Sequence, residues 1–108
     1  NKAFIKAFKE MWGDDIVIGD VTNNAYLGPW LWKAAVEKAG SFDIDKIKAV
    51  NGSGIEMTNA PEGYVRIHET NNHLYSKLRV GRARADGQFD VVYESELKEP
   101  DPFPKGYQ

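Results

Sequence analysis

Asn23, Asn24 and Tyr26 are the residues of this chain best suited to hold a small polar ligand. A carboxamide side chain both donates and accepts hydrogen bonds, which matches a neutral, planar, polar molecule. We predict that a helix begins near Asn24, so Tyr26 would lie at a helix start, where open α/β folds present their binding crevice. Asn24 and Tyr26 are therefore the predicted ligand-binding residues. Helix capping is the more ordinary use of the two asparagines.

Catalytic and metal-binding patterns are weak in this sequence. His68 and His73 have four residues between them, unlike a helical His-Glu-x-x-His arrangement, and no further ligand follows at a suitable spacing. The serines lack the Gly-x-Ser-x-Gly frame of a nucleophile elbow. Neighbouring carboxylates such as Asp14 and Asp15 are typical of solvated loops. The sequence therefore predicts no enzyme activity, no metal site and no cofactor.

Charge and composition argue against several classes of partner. The 14 basic and 16 acidic residues are well mixed and leave a net charge of −2, whereas a nucleic-acid interface needs a concentrated basic face. No apolar run approaches the roughly 20 residues of a membrane span. Cysteine is absent, which excludes disulfides and thiolate ligands. The length suits one domain, and we expect neither nucleic-acid binding nor membrane spanning.

Basic residues in the second half of the chain alternate with acidic ones. We expect them to point outward from strands and to pair with neighbouring carboxylates. The basic residues are Arg66, Lys77, Arg79, Arg82 and Arg84, and the predicted partners are Glu62, Glu69, Asp86, Asp90 and Glu94. Interleaved acids would cancel the long-range field that an anion-binding face requires.

The first half of the chain carries helical patterns. Residues 1–13 predict an amphipathic helix with an apolar face. A second helix is predicted from about Asn24 to Ala39, and it is apolar almost all round, which favours burial on most sides. Its aromatic residues Trp30 and Trp32 could stack on bases or sugars, but at helical spacing we predict that they belong to the core. Pro29 interrupts the pattern and would lie in the first turn or kink the helix.

A third, shorter helix is predicted from Ile44 to about Val50. Asp43 is the predicted cap, and Ile44 and Ile47 are expected to face inward. The residues from Asn51 to Asn59 form a glycine-rich loop in this interpretation, without the following helix that a phosphate-binding loop needs.

From Gly63 onward the apolar residues recur with a period of two, which indicates strands. Val65 and Ile67 alternate with polar residues, and Ala85 to Gln88 is a predicted hairpin turn. A proline-rich tail begins at Glu99 and is expected to lie on a surface. The chain is thus predicted to have a helical half followed by a β-meander.

Several segments, taken in their order and spacing, resemble one protein family. They include Asn1–Phe8, Ala25–Gly40, Asp43–Asp45, Ala60–Gly63, Asn71–His73, Ala85–Asp90 and Pro100–Pro102. The second of these is similar to the family signature AYxGxxLWxxAVExAGS. The chain resembles the urea and short-chain amide binding proteins, which are substrate-binding components of ABC transporters with a type I periplasmic-binding-protein fold, related to the receptors for leucine, isoleucine and valine.

The resemblance implies an α/β fold of which this chain is the C-terminal fragment, with helices followed by a β-meander or hairpin. Residues 1–75 would belong to one lobe of a bilobal receptor and residues 76–108 to the other. The final crossover between the lobes would fall near residues 73–78, and Tyr26 would lie at the cleft.

The implied function is capture of urea or a short-chain amide by hinge closure, followed by delivery to ABC permease subunits. The partners would be this small polar ligand, the permease, and an upstream part of the same receptor that is missing from the sequence. Such a receptor is periplasmic or lipid-anchored outside the cytoplasm.

Two alternatives remain open from the sequence. One is a cytoplasmic amide sensor of the same fold that regulates transcription antitermination. The other is a free-standing interaction module without a small ligand. An exposed apolar patch on the helix from Tyr26 to Ala39 would instead mark the loss of a partner segment.

Overall fold

The computed structural model describes residues 1–106, in which three helices are followed by four strands. The helices are α1 (Lys2–Trp12), α2 (Asp20–Ala39) and α3 (Ile44–Asn51), and the strands are β1 (Glu56–Ala60), β2 (Gly63–Ile67), β3 (Leu74–Ala83) and β4 (Phe89–Lys98). This order confirms the predicted α/β arrangement of helices followed by a β-meander.

Helix α2 begins at Asp20, four residues before the predicted start. Its N-cap is Gly19, which has no side chain with which to cap the helix, so the usual sequence signal for a helix start is missing there. Tyr26 consequently lies in the second turn and not at the helix start. Pro29 is inside the helix, and it has no N–H to donate to the carbonyl of Ala25. The helix ends at Ala39, before Gly40 in the left-handed conformation.

The short helix α3 follows its predicted boundaries closely. The Asp43 carboxylate accepts a hydrogen bond from the backbone N–H of Lys46 at 3.1 Å, which confirms the predicted cap. Ile47 packs against the core. Ile44 was predicted to face inward as well, but 69% of it is exposed. The first residue of this helix points away from the layer that α2 and the sheet form.

The four strands pair in chain order, β1-β2-β3-β4, and every neighbouring pair is antiparallel. The predicted loop from Asn51 to Asn59 is wrong in its second part, because β1 occupies residues 56–60 and pairs with β2. Between β3 and β4, the backbone N–H of Arg84 donates to the carbonyl of Gln88 at 2.8 Å. Gly87 takes a φ of 78° there, which confirms the predicted hairpin turn.

The core lies between one face of α2 and the first strands. Its buried residues are Leu27, Leu31, Ala35, Ile55, Ala60, Val65 and Ile67. The alternation predicted for β2 is confirmed, since Val65 and Ile67 are the residues of that strand that point into the core. Beyond Ser76 the rest of β3 is exposed, and so is most of β4. The hairpin of β3 and β4 thus contributes no buried residue to this core.

Trp30 and Trp32 were predicted to be core residues, but they are 44% and 53% exposed. Only one stripe of α2, formed by Leu27, Leu31 and Ala35, is buried. The two tryptophans lie on other faces of the helix, where Trp30 contacts Tyr26 and Trp32 contacts Phe42. The described residues therefore leave exposed the apolar patch that the sequence interpretation associates with a lost partner segment.

Four of the five outward-facing basic residues pair with acids, as predicted. Among residues 1–106, Arg82 forms no ion pair, and the predicted partner Glu62 forms none either. Lys77 and Arg79 both contact the Glu94 carboxylate, each at 2.7 Å. Arg66 pairs with Glu69, and Arg84 pairs with Asp86 and Asp90. Within residues 1–106, no helix is long and apolar enough to cross a membrane.

Candidate functional site

Tyr26 forms one wall of an apolar concavity between α1, α2 and β1, which we call the aromatic groove. Its volume is about 690 Å³, and its lining includes Phe4, Phe8, Met11, Tyr26, Trp30 and Met57. The ring centroids of Tyr26 and Phe4 are 4.7 Å apart, and those of Tyr26 and Trp30 are 6.1 Å apart. Such a surface favours contact with apolar groups and offers few hydrogen bonds.

Asn24, the other predicted ligand residue, lies elsewhere. Its Nδ2 donates to the Asp20 carboxylate at 3.0 Å on the exposed side of α2. Asn24 and Tyr26 are two positions apart on a helix, and their side chains therefore point in nearly opposite directions. The structure does not bring these two residues together, and Asn24 lines neither of the two concavities described for residues 1–106.

A second concavity lies beside the first turn of α2, and we call it the polar pocket. Its volume is about 510 Å³. The residues that give it its chemistry are Asp20, Asn23, Glu62, Arg79, Gln88 and Val91. Asp20 and Asn23 belong to α2, and Glu62 lies in the turn between β1 and β2. Arg79 belongs to β3, Val91 lies near the start of β4, and Gln88 precedes that strand. Polar groups from distant parts of the chain thus meet at one place.

Glu62 is the best-connected residue of the polar pocket. Asn23 Nδ2 donates to Glu62 Oε1 at 3.0 Å, and Ser76 Oγ donates to Oε2 at 3.4 Å. The Arg79 guanidinium donates to the backbone carbonyl of Glu62 at 2.9 Å. These contacts fix a half-buried carboxylate between a helix, a turn and a strand.

The side-chain amide of Asn23 is only partly satisfied by hydrogen bonds. Its Oδ1 is buried and finds no hydrogen-bond donor among residues 1–106. Buried polar atoms in folded proteins nearly always have a partner. The sequence pointed to this asparagine through its amide chemistry, but Glu62 and Arg79 were not predicted as site residues. Their proximity to Asn23 depends on how the sheet packs on α2, which no local pattern reports.

Carboxylates near the polar pocket and in the hairpin are held ionised by neighbouring cations. Hydrogen bonds from Lys77 and Arg79 lower the pKa of Glu94 below its ordinary value. In the hairpin turn, the Arg84 guanidinium lowers the pKa of Asp86 in the same way. Arg79 therefore links the two regions, since it contacts both Glu94 and the backbone of Glu62.

The histidines have structural contacts. His68 Nδ1 accepts a hydrogen bond from the backbone N–H of Thr70 at 3.2 Å, and Nε2 lies 3.0 Å from the Glu99 carboxylate. Asn71 Nδ2 donates to the carbonyl of Pro100 at 3.1 Å. These contacts hold the start of the proline-rich tail on the surface, as predicted, although its last two residues lie outside the described part of the chain. Among residues 1–106 no group of three or more potential metal ligands comes together.

The fold agrees with what comparison of the sequence shows. Residues 1–108 match the periplasmic binding protein domain family along their whole length, and the chain belongs to that family. This places it with the type I periplasmic binding proteins, as the sequence predicted.

One curated relative is similar in sequence. It is described as limonene hydroxylase, from Geobacillus stearothermophilus, and it is 36% identical over 100 residues. The match covers 93% of this chain but 18% of the relative. The chain therefore spans less than a fifth of the length of the curated relative that it matches.

Proposed function

We propose that this chain is the C-terminal part of a substrate-binding protein that captures urea or a short-chain amide and delivers it to an ABC permease. The observation that supports this most is the family match along all of residues 1–108. The ordered resemblance of segments from Asn1 to Pro102 supports the narrower choice of urea and amides. In this proposal the protein binds and releases its ligand without chemical change.

The distribution of burial in the sheet supports a division between two lobes near residue 76. The first three residues of β3 are half-buried, and the remaining seven are exposed. β1 and β2 contribute buried residues to the core on α2, whereas the hairpin of β3 and β4 contributes none. We propose that residues 1–75 contribute to one lobe, that residues 76–108 contribute to the other, and that β3 carries the chain across.

The exposed aromatic rings support the presence of further polypeptide in the functional protein. Met11 and Trp12 are largely exposed, and Tyr26, Trp30 and Trp32 are about half exposed. Soluble proteins seldom leave so large an apolar surface uncovered. We propose that an upstream part of the same receptor lies on the aromatic groove and completes the core of this lobe.

Ligand capture in this proposal follows from closure of the lobes. Closure excludes water, so that a few hydrogen bonds decide which ligand is held. A ligand that binds the closed state more strongly than the open state shifts the population towards closure. The permease then distinguishes the closed receptor from the open one. We place the protein outside the cytoplasm, in the periplasm or on a lipid anchor.

Thermal unfolding of the complete polypeptide that contains these residues tests the proposal. Urea and acetamide, each titrated to saturation, should raise the Tm, because a ligand that binds only the folded state stabilises it. Leucine serves as a matched control for the amino-acid receptors of the same fold. Limonene is a further arm, because the aromatic groove is apolar and the curated relative is named for that compound.

The outcomes separate the candidate ligands. A rise in Tm with urea or acetamide, and none with leucine or limonene, supports the proposal. A rise with limonene alone would replace the amide by an apolar ligand. No rise with either amide would refute the amide assignment while leaving the family membership intact.

A further inference from the structure

The polar pocket contains a carboxylate with acceptor capacity to spare. Each oxygen of Glu62 accepts one hydrogen bond from a neutral donor, Asn23 or Ser76. A carboxylate offers about four acceptor positions, so further N–H groups can bind. Among residues 1–106, Glu62 forms no ion pair with a lysine or an arginine. Its negative charge is therefore available to a ligand.

Asn23 adds an acceptor that the described residues leave unused. Its Oδ1 is buried without a donor, while its Nδ2 is committed to Glu62. An unpaired buried acceptor costs free energy that a new donor removes. Asn23 itself lines the polar pocket, so a ligand held there lies next to this unpaired amide.

Arg79 supplies the complementary donor. Its Nε contacts Glu94 at 2.7 Å and its Nη2 contacts the Glu62 carbonyl at 2.9 Å. A guanidinium has five N–H groups in a fixed plane, and these two contacts leave some of them available. Acceptors and a cationic donor thus line the same pocket of about 510 Å³.

We propose that the polar pocket binds the planar amide group of the ligand, an inference that rests on the proposed function. Glu62 and Asn23 accept the ligand N–H groups, and Arg79 donates to the ligand carbonyl. The aliphatic side chain of Val91 covers the apolar end of the molecule at the rim. A carboxylate ligand is disfavoured, because Asp20 and Glu62 both place negative charge at this pocket.

Substitution of Glu62 tests the assignment in the complete receptor polypeptide. Glu62→Gln should weaken the binding of acetamide about tenfold or more, because charge-assisted hydrogen bonds are roughly twice as strong as neutral ones. Glu96→Gln is the matched control, since Glu96 is exposed and lies outside the pocket. The Kd of acetamide is measured by calorimetry, with guanidinium and acetate as competing probes of charge.

A second pair of variants tests the pocket while leaving Glu62 and its hydrogen bonds to Asn23 and Ser76 in place. Val91→Trp places a large ring at the rim of the pocket on an exposed strand position and should block binding. Val92→Trp makes the same change at the neighbouring exposed residue, which does not line the pocket, and should bind normally. The melting temperatures of both variants should stay close to that of the parent.

The results distinguish this inference from the proposed function. If the parent binds acetamide and both Glu62→Gln and Val91→Trp behave like their controls, the polar pocket is not the site, but the receptor assignment stands. If guanidinium binds in this pocket more tightly than acetamide does, the ligand is a cation and the inference is wrong. If the parent binds no amide at all, both proposals fail.

Discussion

His68 Nε2 lies 3.0 Å from Glu99 Oε1, although the two residues are 31 positions apart in the chain. The contact joins the residue after β2 to the segment that follows β4, so it holds the proline-rich tail beside the turn between β2 and β3. The His68 ring also stacks on Tyr75, with ring centroids 5.4 Å apart. The ring is thereby held between a strand and the tail.

This geometry predicts the tautomer of His68. Because Nδ1 accepts from the backbone N–H of Thr70, the neutral ring should carry its proton on Nε2 and donate it to Glu99. Nitrogen chemical shifts from NMR, measured at a pH where the ring is neutral, report the tautomer. Glu99→Ala should leave the tautomer unchanged and alter the free energy of unfolding by less than about 1 kcal/mol, since the carboxylate is exposed. A proton on Nδ1 would contradict the described contacts.

Leu27 should be among the most sensitive core positions. It is 1% exposed and packs where α2 meets the sheet. Leu27→Ala should lower the free energy of unfolding by about 2–5 kcal/mol, because it removes buried methyl groups and leaves a cavity. Leu78→Ala makes the same chemical change at a site that is 60% exposed and should cost well under half as much. Thermal unfolding monitored by circular dichroism measures both, and equal losses would refute the described core.

Gly40 should be required for the end of α2. Its φ of 60° lies in the left-handed region, which a side chain with a Cβ disfavours by about 1–2 kcal/mol. Gly40→Ala should therefore lower the free energy of unfolding by about 1 kcal/mol. No atom lies within 4 Å of a Cβ built there, so the cost is one of backbone conformation and not of crowding. Gly40→Asn is the control and should cost less, because asparagine tolerates this conformation. Equal losses for the two variants in denaturant unfolding would contradict the left-handed conformation of Gly40.

The hairpin should lose stability in acid. Hydrogen bonds from Lys77 and Arg79 lower the pKa of Glu94 below its ordinary value of 4.5. A carboxyl group with a lowered folded pKa contributes stability that is fully present above the unfolded pKa and is lost as the pH falls through the folded pKa. NMR titration of the Glu94 side-chain carboxyl carbon should give a pKa below 4.5. Protonation of Glu94 should account for part of the fall in Tm as the pH is lowered, and this part should be absent in Glu94→Gln.

The sequence alone was enough to predict those parts of the structure that depend on a local residue pattern. The alternation around Val65 and Ile67 and the capping carboxylate of Asp43 are local signals, and the strand, the turn and the cap follow them. The start of α2 was missed because Gly19 has no capping side chain. The exposure of Trp30 was missed because periodicity identifies an apolar residue without saying which neighbour covers it.

The site was harder to predict for the same physical reason. Asn23 was recognised by its chemistry, but its partner Glu62 is 39 residues away in the chain. No rule of sequence spacing relates a residue on a helix to a residue in the turn between two strands at that separation. Only the packing of the sheet on α2 brings Asn23 and Glu62 together. The proposed roles of Asn24 and Tyr26 stay predictions, one on the exposed side of α2 and the other on the aromatic groove.

The strand order β1-β2-β3-β4 leaves a row of backbone amide and carbonyl groups along the outer edge of β4. Such an edge can pair with a strand from another molecule. Glu94, Glu96 and Lys98 place charges along this strand, and charged edges oppose pairing. At high salt, where these charges are screened, concentrated solutions of the isolated chain should self-associate through β4 before the helices unfold.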